Sequence, residues 1–265
     1  MNYEEYTAPD GPWTEIDGWN QQGVFTALKE IHEVQQARSI SGNIGEIGIH
    51  DGQFFFALML LANTKKELCL AVDIFDDQER NIDCSGGSSF ESFHEKLVRI
   101  IDKKRIKKLR LIQDDSLGLK PETLIATANS AFIDSMGVLD ACKFNSEQTS
   151  GFRLFSIDGG HTVVHALNDL RLVERVMTPG GVVIVDDFMH PGWPGVTEGL
   201  HIYCSDRSSR LVPFAYGNNK MYLTTFDFAI DIREAFAASA YMKENLQDFK
   251  KVQMYGRNVY WVEFS

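Results

Sequence analysis

The feature that most constrains the fold of this 265-residue chain is a regular alternation of strand-like and helix-like segments. Short runs of aliphatic and β-branched residues are each followed by a longer stretch whose apolar residues recur at helical spacing. The strand-like runs, in chain order, are NIGEIGI, ELCLAVDIF, IKKLRLIQDD, FRLFSID and VVIVDD. This alternation predicts an α/β fold, with a mostly parallel, doubly wound sheet covered by helices on both faces.

The pattern changes after about residue 210. LVPFAYGNNKMYLTTF is typical of two strands around Gly217-Asn218-Asn219, and KKVQMYGRNVYWVEF is typical of a second hairpin around Gly256. We therefore predict an N-terminal helical lid or cap over residues 1–40, a sheet domain over 41–226, and a C-terminal extension over 227–265 packed on the same domain. The stretch 127–150 has no readable pattern.

Charge and composition exclude several classes of protein. The net charge of −11 argues against a general nucleic-acid binder, which usually carries a basic excess. The longest apolar run, FFFALMLLA, is too short to span a bilayer, and the N-terminus does not resemble a signal peptide. The four cysteines contain no C-x-x-C pair and fit neither a zinc site nor a disulfide framework. We expect a cytoplasmic protein that acts on a small molecule, and the oligomeric state stays open.

A glycine turn, EIGIHDGQF, follows the first predicted strand. Gly48 and Gly52 would let the backbone turn tightly and approach a ligand closely. Their spacing is G-x-x-x-G, not the dinucleotide fingerprint G-x-G-x-x-G. Glu46 and Asp51 make this turn acidic, which favours an ammonium or sulfonium group over a pyrophosphate. An ordinary turn is the alternative interpretation.

Polar residues also end the second and third predicted strands. Asp73 ends AVD, where an acid can accept hydrogen bonds from both hydroxyls of a ribose. Asp115 and Ser116 follow the third strand, and they either contact an adenine edge or cap the next helix. The residues leave both interpretations open.

Acids and a histidine follow the fourth and fifth predicted strands. Asp158 and His161 lie in DGGH, and Asp186 and Asp187 end VVIVDD. If the two strands are neighbours, these side chains meet at one edge of the sheet, where carboxylates suit Mg²⁺, Ca²⁺ or Mn²⁺. His161 could accept a proton from a substrate hydroxyl, or it could simply cap a helix. His190 is a weaker candidate for the base.

Taken together, the segments resemble the class I S-adenosylmethionine-dependent methyltransferases over residues 41 to about 225. The segments in the family's order are GEIGIHDGQF, AVDIFDDQ, LIQDDSL, FSIDGGHTVVHALNDL and PGGVVIVDDF. The block from DGGH to VVIVDDF is similar to the branch of macrolide-sugar O-methyltransferases and to methyltransferases encoded among bacterial polysaccharide genes. FDDQERNIDCSGG and WPGVTEG are similar to the latter group. His50-Asp51 and the region after about Phe226 depart from the family pattern.

The resemblance implies a seven-stranded sheet whose last strand is antiparallel, with S-adenosylmethionine as the cofactor. Each part of the cofactor would then have its own residues: Glu46, Gly48 and Gly52 for the methionine part, Asp73 for the ribose, and Asp115 and Ser116 near the adenine. In the sugar-methylating branch, the metal ligands match Asp158, Asp186 and Asp187. The general base matches His161, and the resemblance makes Asp158 a catalytic residue as well as a metal ligand.

We therefore expect O-methylation of a sugar or polyol hydroxyl, in glycan or natural-product biosynthesis, assisted by Mg²⁺. Other functions remain open at this stage. The chain could be an N-methyltransferase or a metal-free O-methyltransferase on a small molecule. From other classes, it could be a nucleotide-binding oxidoreductase or a non-catalytic ligand-binding protein.

Overall fold

The architecture is taken from a computed structural model, which describes residues 1–130, 132–133, 139–140, 151–244 and 249–263. Most of the stretch 127–150 therefore lies outside the described residues. The described helices are α1 Tyr3–Tyr6, α2 Gln22–Ala37, α3 Gln53–Leu61, α4 Phe90–Ile100, α5 Lys103–Ile106, α6 Pro121–Ala128, α7 Val163–Glu174, α8 Pro194–Ser205, α9 Ala229–Ala237 and α10 Ala240–Glu244. The described strands are β1 Asn43–Ile47, β2 Cys69–Asp73, β3 Leu109–Gln113, β4 Phe132–Ile133, β5 Leu139–Asp140, β6 Phe152–Ile157, β7 Met177–Val185, β8 Leu211–Gly217, β9 Lys220–Thr225, β10 Phe249–Met254 and β11 Arg257–Val262.

The main sheet has the order β3-β2-β1-β6-β7-β9-β8-β11-β10. Strands β3, β2, β1, β6 and β7 run parallel to one another, and β9 runs antiparallel to both β7 and β8. The predicted doubly wound sheet is confirmed, and its seven expected strands are β1, β2, β3, β6, β7, β8 and β9. The small pair β4-β5 forms a separate sheet.

The predicted C-terminal hairpin extends this sheet to nine strands. Strand β11 pairs in parallel with β8, through Tyr260 opposite Ala215 and Trp261 opposite Tyr216. Tyr255 and Gly256 form the hairpin turn with positive φ angles of 51° and 71°. The extension thus shares the backbone hydrogen bonds of the sheet. The division of the chain at residues 40 and 226 stays a prediction.

The central strands are apolar on both faces because helices cover both sides of the sheet. In β7, Val182 and Ile184 pack into the layer that contains α2, α3, α4 and α9. Val183 and Val185 point to the opposite layer, which contains α6, α7 and α8. This alternation follows from the two-residue period of a strand.

The order of the sheet reverses between β1 and β6, which leaves a crevice at the carboxyl ends of these strands. The N-terminal residues lie across the start of α3, beside this crevice. The Tyr6 hydroxyl donates to the Gln53 carbonyl at 2.6 Å, and the Gln53 amide donates to the Ile16 carbonyl at 3.0 Å. Within the described ranges, no helix combines the length and the apolar character needed to cross a membrane.

Candidate active site

A cavity of about 690 Å³ opens at the carboxyl ends of β1, β2, β6 and β7. All but one of the site residues predicted from the sequence line it: Glu46, Gly48, Asp73, Asp115, Ser116, Asp158, His161, Asp186 and Asp187. The topology explains this result, because each of these residues follows a parallel strand and the strand ends share one edge.

Gly48 is required by its backbone position. Its φ is +78°, and a Cβ atom there would lie 1.8 Å from the carbonyl oxygen of Asp158. No other residue type fits this close approach of the β1 turn to the end of β6.

Gly52 is the predicted site residue that does not line the cavity. It is the N-cap of α3 with φ +89°, and an added Cβ would meet the Phe56 ring at 2.6 Å. The structure gives it a role in the turn, and its contact with the cofactor stays a prediction. Asp51 also points away from the mouth of the cavity, since its carboxylate pairs with Lys96 at 2.7 Å and accepts from the Ser92 hydroxyl at 2.8 Å.

Asp73 ties the glycine turn to β2. Its Oδ2 accepts from the backbone N–H groups of Ile49 at 2.8 Å and His50 at 2.9 Å, and its Oδ1 accepts from Phe75 at 2.7 Å. Burial raises its pKa, although these three hydrogen bonds act in the opposite direction. A carboxylate has about four acceptor positions, so one remains for a ligand hydroxyl. The group can therefore accept from one of the two ribose hydroxyls that the sequence predicted it to bind.

Glu46 is a buried acid with an unpaired carboxylate oxygen. Its side chain is 1% exposed, and its Oε2 accepts no hydrogen bond within the described part of the chain. Burial raises its pKa to about 8. A buried carboxyl group with one unpaired oxygen on a cavity wall fits a cationic ligand, such as the ammonium group of an amino acid.

Asp115 caps a turn that precedes α6, and the predicted contact of Asp115 and Ser116 with an adenine stays a prediction. The Asp115 carboxylate caps a short 3₁₀ turn by accepting from the Leu117 N–H at 2.9 Å. Both residues also line the cavity, with the His165 Nε2 atom 3.8 Å from Asp115 Oδ1.

The acids at the ends of β6 and β7 meet at His161. Its Nε2 lies 2.9 Å from Asp187 Oδ2 and 4.0 Å from Asp158 Oδ1. Its ring stacks on Trp193 with a centroid distance of 4.4 Å and an interplanar angle of 18°. Burial lowers the pKa of His161, but the hydrogen bond and charge of Asp187 and the charge of Asp83 outweigh it, so the pKa is raised.

Lys220 is a site residue that the sequence reasoning missed. It is only 2% exposed, and its Nζ lies 2.6 Å from Asp186 Oδ2 and 4.9 Å from the Phe54 ring centroid. Beside it, the Asn219 amide donates to Asp187 Oδ1 at 2.8 Å. The sequence feature that could have identified Lys220 is a single lysine at the start of the otherwise uncharged strand KMYLTT, directly after the Asn-Asn turn.

The residues fit a divalent cation in part. Ligand atoms of Asp158, His161 and Asp187 all lie within 4.8 Å of one another. Burial and the neighbouring Asp186 raise the pKa of Asp158, so a cation would favour the charged form of its carboxyl group. Carboxylate oxygens are suitable ligands for Mg²⁺. Asp186, the third predicted ligand, is instead paired with Lys220.

A family model for a methyltransferase domain matches residues 46–188, which is more than half of the chain and includes most of the site. The chain belongs to this family, and it is a class I S-adenosylmethionine-dependent methyltransferase.

The chain is similar to several solved structures. The O-methyltransferase NovP is 12% identical, with a TM-score of 0.54 over 84% of this chain and 87% of that chain. The TDP-rhamnose 3′-O-methyltransferase CalS11 is 16% identical, with a TM-score of 0.49 over 76% of this chain and 79% of that chain. MycE, solved with Mg and SAH, is 16% identical, with a TM-score of 0.48 over 85% of this chain and 55% of that chain. No curated protein matches the chain.

Proposed function

We propose that this enzyme methylates a hydroxyl oxygen of a sugar or polyol, in glycan or natural-product biosynthesis. In this proposal His161 is the general base, and Asp158 and Asp187 hold a divalent cation. The observation that carries it is the position of His161 Nε2, between the carboxylates of Asp187 and Asp158 at the wall of the cavity. NovP, whose name identifies it as an O-methyltransferase, supports the choice of oxygen.

The donor side of the cavity has the chemistry that S-adenosylmethionine requires. Glu46 would bind the ammonium group, Asp73 a ribose hydroxyl, and Asp115 and Ser116 the side of the adenine. When bound, this cofactor supplies a methyl group on a positively charged sulfur, which keeps the electron pair of the broken carbon–sulfur bond.

On the acceptor side, His161 Nε2 takes the hydroxyl proton as the oxygen bonds to the methyl carbon. The Asp187 carboxylate, 2.9 Å from Nε2, stabilises the imidazolium ion that results. Trp193 fixes the plane of the ring by stacking on it. A divalent cation, when bound, lowers the pKa of a hydroxyl that it coordinates. Orientation of the two reactants supplies about 7–11 kcal/mol in well-aligned systems.

The rim of the cavity suits a saccharide. Trp19 and Ile82 line the cavity and are 74% and 65% exposed. A sugar presents an apolar ring face together with hydroxyl groups, so it can pack on these side chains while its hydroxyls reach the acids. The amphipathic ring of a Trp is well suited to such a contact.

Methyl transfer from labelled S-adenosylmethionine to a panel of nucleotide sugars and free glycosides tests the proposal. His161→Ala should lower kcat by about 10²–10⁴-fold, because a positioned general base contributes that much. His201→Ala is the matched control, since His201 packs on Tyr255 and does not line the cavity. Wild-type activity in His161→Ala would remove His161 from the mechanism and leave the methyltransferase assignment intact.

Metal-free O-methyl transfer is the second candidate, and Lys220 favours it by supplying a fixed positive charge at Asp186. The same assay with EDTA separates the two. Loss of activity that Mg²⁺ or Mn²⁺ restores supports the metal-assisted reaction, and undiminished activity supports the metal-free one.

A further inference from the structure

The segment Asn81–Gly86, within the sequence FDDQERNIDCSGG, enters the function proposed above only through Ile82. It follows β2 in the chain, yet it lines the same cavity as the residues after β6. The link is made by Asp83, which contacts His161 across 78 positions of sequence.

Asp83 is largely buried and accepts hydrogen bonds on both carboxylate oxygens. Its Oδ2 accepts from the backbone N–H of His161 at 2.6 Å and lies 3.1 Å from the ring Nδ1 of the same residue. Its Oδ1 accepts from the Ser85 backbone N–H at 3.1 Å and from the Ser85 hydroxyl at 2.5 Å.

These contacts decide which ring nitrogen of His161 carries a proton. An ionised carboxylate can only accept, so Asp83 requires a proton on Nδ1. Ser85 Oγ lies 2.9 Å from Nδ1, but its single proton is donated to Asp83. Ser85 can therefore only accept from Nδ1 as well. Both neighbours of Nδ1 are therefore acceptors, whereas Nε2 has one close acceptor, Asp187 Oδ2 at 2.9 Å. In the neutral ring, the two acceptors at Nδ1 favour the proton there and leave the lone pair on Nε2.

We propose that Asp83 is a positioning residue for the base: it holds His161 in the Nδ1–H tautomer, so that Nε2 is the basic nitrogen on the side of Asp158 and Asp187. The proposal rests on the proposed function only in taking His161 as the base. A carboxylate that orients an imidazole through Nδ1 is a known solution to this chemical problem in other enzymes.

Substitution of Asp83 should change which ring nitrogen of His161 carries the proton. In Asp83→Ala the Ser85 hydroxyl loses its acceptor and becomes free to donate to Nδ1, which favours the Nε2–H tautomer. Asp83→Asn retains a carbonyl oxygen that can accept from Nδ1, so it should preserve the tautomer in part. Ser85→Ala leaves Asp83 in place and should leave the tautomer unchanged.

Nitrogen NMR of protein labelled with ¹⁵N-histidine reads the tautomer directly, without any methyl transfer. His161→Gln assigns the resonances, and the spectra are recorded at a pH high enough to leave the ring neutral. We expect the wild type to carry the proton on Nδ1 and Asp83→Ala to carry it on Nε2. A wild-type ring with its proton on Nε2 would overturn the proposal, whether or not any variant folds.

Kinetics provide the second readout. We expect Asp83→Ala to lower kcat by about tenfold or more, with KM for S-adenosylmethionine changed by less than about twofold, and Asp83→Asn to be intermediate. A variant that raises KM, but keeps the wild-type kcat and tautomer, would mean that Asp83 only anchors the segment, against the proposal. If His161→Ala is fully active while the tautomer behaves as expected, the role of His161 as the base fails, and only the control of its tautomer by Asp83 stands.

Discussion

Lys220 Nζ lies 2.6 Å from Asp186 Oδ2, and the two side chains form a nearly buried ion pair at the junction of β7 and β9. Adjacent carboxylates such as Asp186 and Asp187 are costly unless positive charge meets them. The structure pairs each acid separately, Asp186 with Lys220 and Asp187 with His161. The chain thus supplies its own counter-charges at the place where the sequence predicted a metal.

Lys220→Met should destabilise the protein by about 3–5 kcal/mol, because it leaves a buried carboxylate without its partner. The free energy of unfolding from urea titrations measures this loss. Mg²⁺ or Mn²⁺ should stabilise the variant more than the wild type, since the unpaired Asp186 becomes available as a ligand and binding to the folded state adds stability.

Lys96→Met is the matched control, because Lys96 also pairs with a buried acid, Asp51, but outside the cavity. It should lower stability less, since the Lys96 side chain is partly exposed, and its response to divalent cations should equal that of the wild type. An equal response of Lys220→Met and wild type to the cations would contradict the competition between Lys220 and a metal for Asp186.

Gly48→Ala should be among the most damaging single substitutions in the site. The left-handed backbone costs a non-glycine residue about 1–2 kcal/mol, and the overpacked contact with the Asp158 carbonyl adds about 1–3 kcal/mol. The β1 turn must move away from β6, so affinity for S-adenosylmethionine should fall together with stability. Thermal unfolding and isothermal titration calorimetry measure the two effects.

Gly118→Ala is the comparison for Gly48→Ala, because a Cβ at Gly118 would meet nothing within 4 Å. It should bind the cofactor and unfold like the wild type. If the two alanine variants behave alike, the close approach of the Gly48 turn to Asp158 does not matter for the site.

Asp187→Asn should shift the pH dependence of methyl transfer. Asp187 raises the pKa of His161 through a hydrogen bond and its charge. The base must be neutral to accept a proton, so kcat/KM rises as the pH increases through that pKa. The neutral Asn removes the charge and lowers the pKa, and the acidic limb of the profile should move to lower pH. An unmoved limb would show that another group controls it; Asp206→Asn, at an exposed position, is the control.

The site residues at the strand ends could be predicted because the sequence patterns that identify them are local. An apolar run followed by an acid defines the positions of Glu46, Asp73, Asp158 and Asp186, and the parallel topology then brings them together. Lys220 depends on register: Val185 lies opposite Met221 in the antiparallel β7-β9 pair, which places Lys220 beside Asp186. A sequence pattern alone does not define that register.

The contact of Asp83 with His161 could not be predicted from the sequence, for a different reason. It lies in an irregular segment with neither helical nor strand periodicity, so no pattern relates it to His161. The sequence also does not predict the edge at which the C-terminal hairpin joins the sheet, because the two-residue alternation of β11 fits any strand partner.

Glu46→Gln should make stability less dependent on pH. The pKa of Glu46 is about 8 in the folded protein against 4.5 for the free side chain, so the folded state binds the proton more tightly. Stability from this group is present below the lower value and is lost as the pH rises towards the higher one. The variant lacks the ionisation, and its advantage over the wild type should grow from pH 5 to pH 8, up to about 4 kcal/mol.

The same substitution should weaken S-adenosylmethionine binding, because a neutral amide no longer attracts the ammonium group. A hydrogen bond to a charged group contributes about 1.5–3 kcal/mol, which corresponds to a loss of roughly 10- to 100-fold in affinity. Urea unfolding at several pH values and calorimetry measure the two effects, with the exposed Glu122→Gln as the control. A variant that gains stability at high pH but binds the cofactor as tightly as the wild type would place Glu46 outside the ammonium site and leave its burial as its only role.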